Sequence, residues 1–171
     1  MAPSTIYLAL GSNLGDRRAL LAQGVAALMA AGVRVVACSS IYETDAIADH
    51  PQPPYLNLVI RGETTLSPDA LLRVCLRIED QLGRERPTGI AKAARTLDVD
   101  VLLYDATVLA THTLTIPHPA LLDRPFVRIP LAEVATADLR HPITDARLDQ
   151  APADPAVRLV APPPQPQPPL S

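Results

Sequence analysis

Apolar residues recur along this chain in two different periods, and each change of period marks a boundary. Residues 5–10 (TIYLAL) form a short, nearly continuous apolar run and predict a buried strand. Gly11-Ser12-Asn13-Leu14-Gly15 is expected to end it. Asp16 then offers a helix N-cap, and Leu20, Leu21, Val25, Leu28 and Met29 fall at helical spacing up to Gly32. A second strand is predicted over 33–42 and a third over 55–63, separated by a loop, 44–54, that holds Pro51, Pro53 and Pro54. Ser67-Pro68 opens a second helix, cap first and proline at the first helical position. Leu71, Leu72, Cys75, Ile78 and Leu82 make its stripe and Gly83 its stop. A second long loop, 84–94, leads to a fourth strand over 96–104, the most strongly β-patterned stretch of the chain.

The order β-α-β-β-α-β predicts an α+β fold with a ferredoxin-like core, an antiparallel sheet carrying two helices on one face. Beyond it, 108–116 suits a short hairpin, and 120–123 and 131–135 suit short helices. From 151 to 171, eight of 21 residues are proline, which predicts an extended or disordered tail on a single domain covering 1–150. A chain of 171 residues removes roughly 70% of its unfolded surface from water, so it needs no covalent staple.

Charge and composition narrow the classes. A net charge of −3 argues against a general nucleic-acid binder, which shows a basic balance. No apolar run approaches the ~20 residues of a membrane helix, and no basic segment precedes the first apolar stretch. Cys38 and Cys75 form no C-x-x-C pair and read as reduced thiols of a cytoplasmic protein. Lys92 is the only lysine among 15 basic residues, and no P-loop string occurs. Any phosphate chemistry must therefore rest on arginine, metal and backbone amides.

Four groups of residues could carry chemistry. In Arg95-Thr96-Leu97-Asp98-Val99-Asp100-Val101, strand alternation puts Asp98 and Asp100 on one face, about 7 Å apart. Such a pair fits either a solvated outer face or a hard divalent cation held with substrate phosphates. Arg84, Arg86 and Arg95 cluster on the way into that strand, and guanidinium forks match phosphate oxygens. The glycines of residues 11–15 suit a tight strand-to-helix turn or an exposed-amide cradle. Tyr55 and Phe126 could sandwich a flat heterocycle while Asn57 bonds its edge; core packing is the plain alternative for Phe126. His118, between Pro117 and Pro119, is either a turn residue or a phosphate contact.

Read together, Leu10-Gly11-Ser12-Asn13-Leu14-Gly15, SSIYET (39–44), Tyr55-Leu56-Asn57, Gly83-Arg84-Glu85-Arg86, RTLDVDVLL (95–103), Pro117-His118-Pro119 and Arg124-Pro125-Phe126-Val127 resemble the 6-hydroxymethyl-7,8-dihydropterin pyrophosphokinase family over about 5–135. The resemblance implies diphosphate transfer from ATP to the hydroxymethyl group of the dihydropterin, with release of AMP, in folate biosynthesis. It implies Arg84, Arg95, Asp98 and Asp100 as catalytic residues, with Asp98 and Asp100 holding two Mg²⁺ ions. It places Glu79, Arg84, Arg86, Lys92, Arg95, Val101, Thr115, His118 and Arg124 around ATP, and Thr44, Asp45, Tyr55, Asn57 and Phe126 around the pterin. It further implies a cytoplasmic monomer whose two long loops close over small-molecule substrates, with no nucleic-acid or membrane partner. Lys92-Ala93-Ala94 stands where many members have Trp-Gly-Pro, Asp45 where a proline often follows the threonine, and Thr113 where some have an arginine on ATP. A non-catalytic ferredoxin-like module binding a nucleotide or pterin is the alternative; it would have no use for paired aspartates beside arginines.

Overall fold

A computed structural model describes residues 2–46, 51–82 and 97–165. The first strand, β1 (Ser4–Ser12), runs two residues past the predicted stop, because antiparallel ladders hold Gly11 opposite Asn57 and Asp98 and hold Ser12 opposite Leu56. Asp16 then caps α1 (Arg17–Ala30) through a bond accepted from Ala19 N, and Gly32 leaves the helix at φ +96°. The predicted strand over 33–42 is two strands, β2 (Arg34–Cys38) and β3 (Ile41–Thr44). Ser39 causes the break. Its hydroxyl accepts from Val59 N and donates to Ser40 O, so a side chain takes over the bonding the backbone ladder would supply. β4 (Tyr55–Thr64) pairs with β1 along one edge and with β2 and β3 along the other.

Ser67 caps α2 (Pro68–Gln81) as predicted, and β5 (Asp98–Tyr104) follows on the far side of β1. The sheet reads β5-β1-β4-β3-β8, with β2 also on β4. Its pairings are antiparallel, and β5-β1-β4-β2/β3 is the ferredoxin-like order. The predicted hairpin is β6 (Leu109–Ala110) with β7 (Thr115–Ile116). After a single 3-10 turn at Leu121–Asp123 comes α3 (Pro125–Val134), which starts six residues earlier than expected because Pro125 is preset for a first helical position. The tail expected to take no part in the core contributes β8 (Arg158–Ala161), which pairs with β3 and lays Val160 and Ala161 against the core.

Strand alternation sorts the core into two clusters. Ile6, Leu8, Leu10, Leu58, Ile60, Val99 and Val101 face α1 and α2, meeting Leu21, Val25, Leu28, Leu71, Cys75 and Ile78. Tyr7, Val59 and Leu102 face the other way, onto Val127, Leu131 and Val134 of α3, and a register shift in the ladder between Tyr7 and Leu8 brings Leu103, opposite Tyr7, to that side as well. Each fully buried Leu or Ile contributes about 1.5–3 kcal/mol of transfer free energy. On the α3 face a gap is left where β1, β4 and β5 meet the first turn of α3. No helix among the described residues is long and apolar enough to cross a membrane.

Candidate active site

The gap is a cavity of about 290 Å³ lined by side chains of one sheet face and by the first turn of α3. Register explains which residues line it. Gly11 of β1 stands opposite Asn57 of β4 on one side and Asp98 of β5 on the other; one step along, Ala9 stands between Val59 and Asp100. Asp98, Asp100, Gly11, Ala9, Asn57 and Tyr55 therefore point to the same side, and all of them line the cavity. The two small residues form its floor: a Cβ on Gly11 would lie 3.3 Å from Asn57 Oδ1. Thr44 and Asp45 close one wall, and Arg124, Phe126 and Val127 form the roof.

Local bonding holds the walls. Asn57 Nδ2 donates to Thr44 Oγ1 at 3.0 Å, both residues being buried. Asn13, fully buried in the turn after β1, donates to Gln52 Oε1 at 3.2 Å and to Pro53 O at 3.1 Å. Arg17 donates to Pro54 O at 2.9 Å, so the turn and the start of α1 fix the chain just ahead of Tyr55. The Arg124 guanidinium lies 5.8 Å from the Phe126 ring centroid, a cation–π distance that steadies both.

His118 stands near this group. Its backbone N donates to Leu102 O at 2.9 Å, and its Nδ1 accepts from Ala120 N at 3.1 Å. Burial holds its pKa below the usual imidazole value, the Arg124 charge adds to that, and Asp98 opposes it. The ring is thus neutral near pH 7 with its proton on Nε2, a hydrogen-bond donor.

Of the residues singled out in the sequence, Thr44, Asp45, Tyr55, Asn57, Asp98, Asp100, Arg124 and Phe126 surround one cavity. Four others do not line it: His118, which stands near it, and Val101, Thr115 and Glu79. Val101 faces the opposite way, into the core under α1 and α2. Thr115 is exposed on β7. Glu79 is buried and its Oε1 accepts from Val99 N at 2.8 Å, joining α2 to β5 directly behind the acidic pair. Arg84, Arg86, Lys92 and Arg95 lie outside the described residues. The sequence does not single out Ala9, Arg17 or Val127, and it reads Gly11 as part of a tight turn or an amide cradle rather than as a cavity floor. For Ala9 and Gly11 the signal is ladder register, which no single strand carries.

A family model for 7,8-dihydro-6-hydroxymethylpterin-pyrophosphokinase (HPPK) matches residues 7–136. The chain belongs to this family. The match takes in every residue that lines the cavity. An HPPK-family relative from Bacillus subtilis, a 2-amino-4-hydroxy-6-hydroxymethyldihydropteridine pyrophosphokinase, is 41% identical over 145 residues, 84% of this chain and 85% of its own length. A protein of the same name from Methylorubrum extorquens is 45% identical over 132 residues, 75% of this chain and 81% of that one. Among solved structures, a wild-type Plasmodium falciparum HPPK-DHPS with pteroate superposes at a TM-score of 0.65 and 14% identity, over 86% of this chain. The chain spans only 41% of that longer protein, and the likeness shows the HPPK fold.

Proposed function

We propose that this chain transfers diphosphate from ATP to the hydroxymethyl oxygen of 6-hydroxymethyl-7,8-dihydropterin, giving the pterin diphosphate and AMP in folate biosynthesis. The observation that carries the proposal is one cavity holding Tyr55, Phe126 and Asn57 together with Asp98 and Asp100. Tyr55 and Phe126 sandwich the flat heterocycle. Asn57, Thr44 and the chain at Asp45 bond its polar edge. The substrate hydroxyl is thereby aimed along the sheet face toward the acidic end. Its oxygen attacks the β-phosphorus, the bond to the oxygen shared with the α-phosphate breaks, and the hydroxyl proton leaves to solvent.

The acidic end suits Mg²⁺. Asp98 and Asp100 share one strand face and offer hard oxygen donors, and no group of three or more His, Cys, Asp or Glu side chains with metal geometry exists among the described residues. That donor set fits ions that take one or two carboxylates and complete their shell with phosphate oxygens and water. Bound there, the two Mg²⁺ ions of the proposal would supply charge neutralisation for the triphosphate. The chain's own residues do the rest. Arg124 and the Nε2–H of His118 meet phosphate oxygens. Arg84, Arg86, Lys92 and Arg95 keep the ATP-side roles implied by the resemblance, with Arg84 and Arg95 steadying the charge on departing AMP. Glu79, Val101 and Thr115 act behind or beside the ATP side rather than from the cavity wall. The same proposal makes the protein a cytoplasmic monomer with a single catalytic domain and small-molecule partners only.

Incubating the protein with ATP, Mg²⁺ and the hydroxymethyl-dihydropterin tests this. AMP and the pterin diphosphate are the expected products. ADP in place of AMP, or no pterin-dependent turnover, refutes it.

A further inference from the structure

β8 lies outside the stretch matched by the family model, which stops at residue 136. Its first residue nevertheless reaches the rim of the cavity. Arg158 stands opposite Glu43 in the β3–β8 ladder. Its guanidinium lies 3.4 Å from Glu43 Oε1 and 3.3 Å from Asp45 Oδ1. The other oxygen of Glu43 takes Arg17 Nη1 at 3.1 Å, and that nitrogen also donates to Pro54 O at 2.9 Å. Arg17, Glu43, Arg158 and Asp45 thus alternate in charge and brace both ends of the segment that joins β3 to β4. Glu43 and Asp45 flank Thr44 where the chain leaves β3, and Pro54 precedes Tyr55 where it enters β4. Thr44, Asp45 and Tyr55 are cavity walls.

We infer that Arg158 is a positioning residue for the heterocycle end of the site. Acting through Glu43 and Asp45, it holds the end of β3 at Thr44 and Asp45 in place beside Tyr55, the partner of Thr44 across the β3–β4 ladder, where the polar edge of the ring is bound. The inference rests on the proposed function for the identity of that ring. Each pair on its own is partly exposed and weak. Linked to a strand ladder, they spare the substrate the cost of ordering the rim when it binds. The effect falls on binding because β8 and β5 are at opposite ends of the sheet, so Arg158 is far in strand order from Asp98 and Asp100.

The test uses the full chain carrying Arg158→Ala. KM for the hydroxymethyl-dihydropterin should rise about threefold to tenfold, the size of the two partly exposed pairs removed, with kcat and the KM for ATP near the parent values. Arg158→Lys should recover part of the loss. Arg34→Ala removes an exposed pair with Glu63 of 2.8 Å away from the cavity and should change none of these constants. The difference between Arg158→Ala and the parent should shrink at about 1 M salt, where exposed charges are screened. An unchanged pterin KM, or an equal fall in kcat, overturns the inference. If the parent chain releases no AMP, the functional proposal fails by itself, and amide hydrogen exchange at Thr44, Asp45 and Tyr55 decides the positioning role. Faster exchange in Arg158→Ala supports it; equal exchange overturns it.

Discussion

Replacing Gly11 by alanine adds one methyl group to the cavity floor and separates stability from binding. The new Cβ would stand 3.3 Å from Asn57 Oδ1, 3.7 Å from Tyr55 Cδ1 and 3.8 Å from Leu56 O. Gly11 is outside the left-handed region, so alanine meets no backbone strain there. It narrows the unfolded ensemble and stabilises the fold by ~0.4–1 kcal/mol. Against this, Asn57 must give way by a few tenths of an ångström, an overpacking cost of about 1 kcal/mol. The two terms nearly cancel, and Tm should stay within about 3 °C of the parent. Binding has no such offset. Asn57 is bonded to Thr44, so shifting one edge group shifts both. Loss of two neutral hydrogen bonds to the substrate, ~1 kcal/mol each, gives a rise in pterin KM of about thirtyfold. AMP release at saturating ATP with varied pterin, alongside a thermal melt, reads both quantities. An unchanged KM would refute the role of the floor, and a Tm fall beyond about 8 °C would refute the neutral packing.

Asp98→Ala or Asp100→Ala should lower kcat by about 10³-fold or more while the variant still melts cooperatively, because both carboxylates line the cavity rather than the packed interior. Parental turnover in either variant rejects the acidic pair. Phe126→Ala should raise pterin KM about tenfold through lost stacking, with Phe126→Tyr near the parent; titration of pterin fluorescence measures it. Burial, reinforced by Glu133 at Cys38 and by Glu79 and Asp100 at Cys75, pushes the two thiols up to about 11 and about 12. At pH 8 their thiolate fractions are then roughly 10⁻³ and 10⁻⁴, so iodoacetamide should label neither until the protein is denatured; prompt labelling of Cys75 in the folded state contradicts this. His118 binds its proton less well folded than unfolded, so its contribution to stability is complete above the unfolded value of 6.5 and is lost as pH falls through the folded one. His118→Asn should flatten the fall in Tm between pH 7 and pH 5, and an identical slope would show that other groups carry it.

Much of this architecture can be read from spacing. The alternation Asp98-Val99-Asp100-Val101 tells which side chains leave the core, and the Ser67-Pro68 signal starts α2 where it starts. Local patterns of this kind report on their own strand or helix. They are silent on how strands align. Gly11 becomes a floor only because the ladder sets it between Asp98 and Asn57, and the Val101 side chain turns away from the cavity by the same alternation that turns Asp100 toward it. Ser39 splits the predicted strand through its own hydroxyl, at a Ser-Ser pair between two apolar stretches that otherwise read as one strand. Arg158–Ala161 is masked by the prolines around it, which dominate the composition of the segment and hide four residues with ordinary strand character.

Those prolines have a consequence at the border of the sheet. Beyond β3 the outermost strand is β8, four residues long, and Pro162-Pro163-Pro164 follows it directly. A proline has no N–H, so a neighbouring molecule that began to zip onto this border would run out of donors after one short strand. The arrangement should keep concentrated solutions free of edge-to-edge fibres. Shortening the chain ahead of β8 would bare the margin of β3, which no proline follows directly, to self-association.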